Sequence, residues 1–393
     1  MLNQNPILHL CYPNSGKAKS EIIFLHKGDE NVNIRKGCRL VSLMLIISLV
    51  LIGCSADKTQ TLNSSLSPSA EPQKASAPSQ NPFETDGENQ VILGRMSHRF
   101  ANPKLDQRGQ RAPMAYNGGE MKIDYEVAAS GKANNVGFLI FINGQPQPYK
   151  FNSTDTPYEY MHIFEVPDDD EHYTPFTFVF TPITGKKGDQ LSINIISVYN
   201  PGFTPDMKET SSYGGYQTTL QLDGIISFNT DPKPLDDPSI LKEEVLSDVR
   251  QTTEPITQEL LEKASGFEKV DLNALDKKVY NELQIDGDVR MDNYSIEGKD
   301  KVHVTFKLFG HPGVQYRSTF YINHQAISAK KVSFETKLTK GNVSVIEADI
   351  EVEKLEDFNT FYVVSAPLNA NDFPDDVIIL DKTASVLLYK GKE

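Results

Sequence analysis

Two stretches of this chain alternate apolar and polar residues with a period of two. In the first, Met121, Ile123, Tyr125 and Val127 alternate with Lys122, Asp124 and Glu126. In the second, Val302, Val304, Phe306 and Leu308 alternate with His303, Thr305 and Lys307. Successive side chains of a strand point to opposite faces, so this spacing predicts half-buried β-strands. An amphipathic helix is excluded there, because its apolar residues recur every three or four positions. Residues 91–230 continue with a dense apolar run, Val136 to Asn143, then Tyr158 to Val166, Phe176 to Ile183, Leu191 to Tyr199 and Thr218 to Phe228. Turn signals separate them: Asn143-Gly144, Pro167-Asp168-Asp169-Asp170, and Gly185-Lys186-Lys187-Gly188-Asp189, which reads as a hairpin turn. Residues 285–393 carry Val314 to Asn323, Val332 to Leu338, Val343 to Val352, Asn359 to Ser365 and Ser385 to Tyr389. Short strands with no long helical period predict a mainly β chain of two tandem antiparallel β-sandwich domains of immunoglobulin-like type. A small barrel is the competing architecture.

The two β regions read as copies. Phe141-Ile142-Asn143-Gly144-Gln145 matches Tyr321-Ile322-Asn323-His324-Gln325, and the alternating strand precedes each by about 20 residues. Ser197-Val198-Tyr199-Asn200-Pro201 resembles Ser365-Ala366-Pro367 near the ends. Between the copies, residues 231–284 change character. Asp237 before Pro238 looks like a helix N-cap with Pro in the first turn. Leu241, Val245 and Val249 keep helical spacing, as do Leu272, Leu275, Val279 and Leu283. A short helical linker is therefore expected between sandwiches at 91–230 and 285–393.

The N-terminal part reads as an address. Arg35, Lys36 and Arg39 form a positive region ahead of Leu40 to Gly53, a run of apolar and small residues. The run is too short to span a bilayer comfortably, since a spanning helix needs about 20 residues. It suits the core of a secretory signal peptide. It ends in Leu51-Ile52-Gly53-Cys54. This resembles the lipobox of bacterial lipoproteins, and the resemblance covers the signal segment alone. It implies cleavage before Cys54, a diacylglyceryl thioether on the Cys54 sulfur, and a membrane anchor of two or three acyl chains. Residues 1–53 would then be a precursor segment, with translation starting near Val32 as the reading of the first 31 residues. Residues 54–90 follow as a Ser- and Pro-rich tether, too poor in large apolar residues to bury a core.

Charge and cysteine chemistry narrow the function. The 393 residues hold 39 Lys+Arg against 53 Asp+Glu, a net charge of −14. Cleavage before Cys54 would remove six basic and three acidic residues and leave −17. An acidic chain argues against a nucleic-acid partner. Of the three Cys, only Cys54 would survive, consumed by lipid, so no thiolate chemistry or Cys metal site is expected. No nucleophile elbow, His-Glu-x-x-His or phosphate-loop pattern occurs. No cofactor and no metal are expected; the acidic turn Asp168-Asp169-Asp170-Glu171-His172 lacks the Gly and the alternating ligands of a calcium loop.

The most distinctive segment runs from Tyr199 to Tyr216. Tyr199, Phe203, Tyr213 and Tyr216, with Asn200 and Asp206, offer an aromatic platform with polar neighbours for a glycan or peptide ligand. The other reading makes the same aromatics a lid on the core. A second candidate is the basic stretch from Arg95 to Tyr116, with Arg99, Lys104, Arg108 and Arg111. Together these features predict a membrane-anchored, extracytoplasmic lipoprotein at the cell surface, a non-catalytic binding or interaction module. A wall-polymer hydrolase using Asp206 and Asp223 is the enzymatic alternative, and an accessory subunit of an envelope complex is the third.

Overall fold

The computed structural model describes residues 21–23, 95–131, 135–202, 217, 219–233, 244–265, 272–289, 293–327, 333–374 and 376–391. The first alternating stretch forms β4 (Met121–Ser130), and its apolar residues Ile123, Tyr125 and Val127 all point into one core. Around it stand β1 (Glu21–Ile23), β2 (Arg95–Phe100), β3 (Met114–Tyr116), β5 (Asn135–Ile142), β6 (Gln145–Gln147) and β7 (Lys150–Phe151). The set closes with β8 (Ile163–Glu165), β9 (Asp169–Phe180), β10 (Gln190–Tyr199) and β11 (Thr219–Phe228). One sheet runs β1-β2-β4-β9-β7; the facing sheet runs β3-β11-β10-β5-β6, with β8 also on β5. The ladders are antiparallel except β3 beside β11. An aromatic cluster fills the space between the sheets. The Tyr125, Phe138, Phe176 and Phe178 rings lie 5.0–5.7 Å apart.

The second sandwich comprises β12 (Leu246–Pro255), β13 (Val279–Ile285), β14 (Asp288–Val289), β15 (Asn293–Ser295), β16 (Lys301–Gly310) and β17 (Gln315–Ile322). It continues with β18 (Gln325–Ala326), β19 (Ser333–Lys337), β20 (Asn342–Glu351), β21 (Phe358–Pro367), β22 (Asp381–Lys382) and β23 (Val386–Tyr389). Its sheets run β12-β20-β16-β13-β14 and β15-β23-β21-β17-β18, with β19 on β17 and β22 on β21. Strand by strand this repeats the first sandwich. β13, β16 and β20 stand where β2, β4 and β9 stand, and β17, β21 and β23 where β5, β10 and β11 stand. Even the parallel pair recurs, β15 beside β23. A first strand that splits between both sheets and meets the last strand in parallel is the immunoglobulin-like arrangement expected from the sequence.

The expected helical linker differs from what forms. Leu246–Pro255 is an edge strand laddered along β20, with a bulge between Ser247 and Arg250. Val279–Ile285 is β13, paired along β16, and only Ala274–Lys277 makes a single 3-10 turn. Leu241 lies outside the described residues. The reason is tertiary: a ladder with β16 or β20 supplies long-range partners that outweigh weak local helix preference. The one α-helix among the described residues is Gln258–Ser265. Thr257 Oγ1 accepts from the Leu260 amide at 3.2 Å and caps it. Its Leu260 and Leu261 cover Phe309, Val343 and Val345 on the outer face of the sheet.

Candidate functional site

Strand β5 is buried on both faces. Phe138, Ile140 and Ile142 face the first core, while Leu139 and Phe141 face away from it. On that outer face they join Ile196 and Val198 of β10. Tyr321, Tyr362, Val364 and Ala366 of the second sandwich complete the same apolar cluster. The sandwiches are therefore stacked sheet against sheet. A strand covered on both sides reads as a continuous apolar run, which is why Val136 to Asn143 lacks alternation.

The two repeated hairpins frame this seam. Asn143 and Gly144 have φ of 48° and 71°; Asn323 and His324 have 48° and 62°. Both are turns with two left-handed residues, the type that joins tightly twisted strands. A Cβ on Gly144 would lie 2.7 Å from Leu368 Cδ2, so this turn packs closely on the second sandwich. Arg317 reinforces it, donating to Asn143 O at 2.7 Å and to Glu335 Oε1 at 2.6 Å.

At the other hairpin the contact is polar. His324 is buried, and its Nε2 lies 2.9 Å from Pro201 O of the first sandwich. Its Nδ1 lies 3.2 Å from the Tyr362 hydroxyl. Burial pushes His324 down to about 4, so the ring is neutral at pH 7. Nε2–H then donates to the carbonyl and Nδ1 accepts from the tyrosine. Nearby, Lys382 Nζ donates to Ser385 Oγ at 2.8 Å and to Thr383 O at 3.1 Å, and sits 4.3 Å from the Tyr362 ring centre. Ser385 Oγ in turn donates to Gln217 Oε1 at 2.5 Å. Burial lowers Lys382 to about 7, opposed by the adjacent Asp381. Burial raises Asp381, opposed by a hydrogen bond from Asn281. The second sandwich thus grips the first at Pro201 and at Gln217.

Those two positions bracket most of the segment singled out in the sequence. Tyr199 is no exposed platform residue: it is 4% exposed and packs in the first core. Asn200 is also buried, with left-handed φ of 46°, and its amide donates to Asn135 O at 3.0 Å. Phe203, Asp206, Tyr213 and Tyr216 lie outside the described residues, as do Cys54, Arg35, Lys36 and Arg39. Asp223, the second carboxylate of the hydrolase reading, accepts from Asn194 at 2.7 Å and from Gln221 at 2.6 Å. In the basic stretch, Arg99 pairs with Glu126 at 2.6 Å and stacks 3.8 Å from the Tyr173 ring, and Arg111 lies over Phe100.

The acidic turn is held by its own hydrogen bonds. Asp169 Oδ1 accepts from the Glu171 and His172 amides, and its Oδ2 meets His172 Nδ1 at 2.7 Å. His172 and these amides hold the Asp169 carboxyl below its usual range. Gly185 to Asp189 is not a hairpin turn. It connects β9 to β10, which belong to opposite sheets. Sequence reasoning missed His324, Lys382, Ser385 and Gln217. One signal was present: His324 stands where the first copy has Gly144, a left-handed position uncommon for residues other than glycine, where histidine is among the enriched exceptions.

No family model and no curated protein matches the chain. Among solved structures, the C-terminal domain of the Streptococcus agalactiae AgI/II polypeptide BspA aligns at 10% identity. The alignment covers 73% of this chain and 99% of that one, at a TM-score of 0.17. The CupB6 tip adhesin from Pseudomonas aeruginosa aligns at 8% identity over 75% and 97%, TM-score 0.16. A protein of unknown function from Porphyromonas gingivalis W83 aligns at 6% identity over 70% and 96%, TM-score 0.19. Superpositions this loose add nothing to the fold already described.

Proposed function

We propose that this chain is an exported lipoprotein, anchored through Cys54 on the extracytoplasmic face of a bacterial membrane, that acts as a non-catalytic binding module for a glycan or peptide. One observation supports the binding reading above the others. The second sandwich holds Pro201 through His324 and Gln217 through Ser385, so both ends of the segment bearing Phe203, Asp206, Tyr213 and Tyr216 are tied at the seam. Fixing the ends lowers the ordering cost of any contact made between them. Two tests separate anchor from ligand. The Cys54→Ser chain should leave the membrane fraction, and its full retention there would sink the anchor. Tyr213→Ala with Tyr216→Ala should abolish capture on a glycan and envelope-peptide array while the melting temperature stays unchanged. A large loss of stability would instead make these rings part of the core.

A further inference from the structure

In each sandwich the strand beside the alternating one, β2 or β13, is covered on its other side by one short extra strand. In the second sandwich the cover is local: β14 folds back on β13 through Asp286 and Gly287, which have φ of 48° and 86°. In the first sandwich the cover comes from far upstream. β1 pairs antiparallel with β2, Glu21 opposite Ser97, Ile22 opposite Met96 and Ile23 opposite Arg95. No local hairpin replaces it, because β2 is followed directly by the connection to β3.

Cys54 lies between β1 and β2. If the chain is processed as a lipoprotein, the cover is removed with the precursor segment, whereas β14 stays. We infer that the edge of β2 in the processed protein is a strand-addition site, and that it takes an extended segment of another envelope protein with β-branched residues beside an acidic one. This inference rests on the lipoprotein reading.

The geometry of the edge defines what fits. Ala101 N donates to Asp124 O at 2.9 Å, in register with the β2–β4 ladder. Partnering alternates along an antiparallel strand, so Met96, His98 and Phe100 turn their backbone N–H and C=O toward the edge. A guest strand gains main-chain hydrogen bonds there, and residues opposite Met96 and Phe100 share the face that leads into the core. Met96 and Phe100 supply buried apolar side chains at this border, with His98 buried between them and hydrogen-bonded to Tyr125 and Leu220 O. β2 carries Arg95 and Arg99 and no carboxylate, and both arginines have partners within the fold. An acidic guest is favoured over a second copy of β2, which would bring arginines together. The segment that occupies the edge, Glu21-Ile22-Ile23, has that composition.

The test compares the processed lipoprotein, extracted in detergent, with the full-length Cys54→Ser chain that retains its N-terminus. The probe is a synthetic peptide of residues 17–27. Intact mass reports first whether the extracted protein begins at Cys54; any other start rejects the lipoprotein reading itself. With that start established, hydrogen exchange at Met96, whose edge-facing amide lies opposite Ile22, should be fast in the processed form and slow in the unprocessed chain. Peptide at ten times its dissociation constant should slow this amide about tenfold in the processed form. The Ile22→Pro peptide should give no protection, and the Glu21→Lys peptide should bind more weakly. Absence of protection by the unmodified peptide would overturn the inference. So would peptide-free protection with dimerisation, which would assign the edge to a second copy.

Discussion

Replacing His324 by glycine sets two effects of opposite sign against each other. His324 occupies a left-handed conformation, φ 62°, at the position where the first repeat has Gly144. For a residue with a Cβ this conformation costs about 1–2 kcal/mol. Glycine removes that cost but gives back about 0.5–1 kcal/mol through the greater freedom of the unfolded chain. The relief is therefore near 0.5–1 kcal/mol. Against it stand two hydrogen bonds, to Pro201 O at 2.9 Å and with the Tyr362 hydroxyl at 3.2 Å. Pro201 O keeps the Gln217 Nε2–H at 3.4 Å, so each lost bond is counted at its net worth of about 0.5–1.5 kcal/mol. The balance predicts that His324→Gly destabilises by roughly 1–2 kcal/mol, although it installs the residue the turn prefers. The expected loss is roughly 2–6 °C in melting temperature. Urea unfolding at pH 7, followed by fluorescence and circular dichroism, measures it. A variant equal to or more stable than the parent would refute the reasoning, because the seam hydrogen bonds would then contribute less than the backbone strain.

Other consequences follow from buried groups. His98 and His324 both sit near 4, below the ordinary value of 6.5. Between those values the unfolded chain binds protons that the folded chain does not, so stability falls as pH drops from 6.5 to 4. The slope is up to about 1.4 kcal/mol per pH unit for each histidine; a flat urea midpoint across that range would contradict it. Lys382, lowered to about 7, acts in a different window. Stability should rise as pH climbs from 7 toward the unfolded-chain value near 10.4, and Lys382→Met should flatten that rise. Two glycines calibrate backbone effects. A Cβ on Gly310 would lie 2.0 Å from Lys278 O, so Gly310→Ala should abolish soluble expression. Gly109 has φ of 74° and open space, and Gly109→Ala should cost only about 1 kcal/mol in a thermal melt.

Much of the fold was legible because each half-buried strand writes its own period. The residues that alternate in the sequence, Ile123 with Tyr125 and Val304 with Phe306, are the ones that meet in the two cores. The repeat was legible at its turn, and its offset of 180 is carried by β4 against β16 and β5 against β17, pairs of equal length. The linker misled for a specific reason. Val245 and Val249 both pack on the second core, and the bulge between Ser247 and Arg250 shifts the phase of the strand between them. A strand with one extra residue imitates helical spacing. In Leu272 to Leu283 the deciding partner is β16, which a local window does not contain.

The seam was legible in half. Leu139 and Phe141 showed that something must cover the outer face of β5, but no pattern within one strand names its cover. Comparison of the copies goes further. Related hairpins make unlike contacts: Gly144 admits Leu368 at close range, while His324 uses both ring nitrogens to hold Pro201 and Tyr362. A stack held by packing alone would have favoured glycine in both turns, since both need left-handed backbone. Histidine in the second turn accepts strain in exchange for a grip on the chain just before the Tyr-rich segment. Ser385, backed by Lys382, supplies the matching grip at Gln217. The divergence of the two copies therefore falls on the side of the seam where that segment begins and ends, and at that point repeat geometry and the binding hypothesis rest on the same residues.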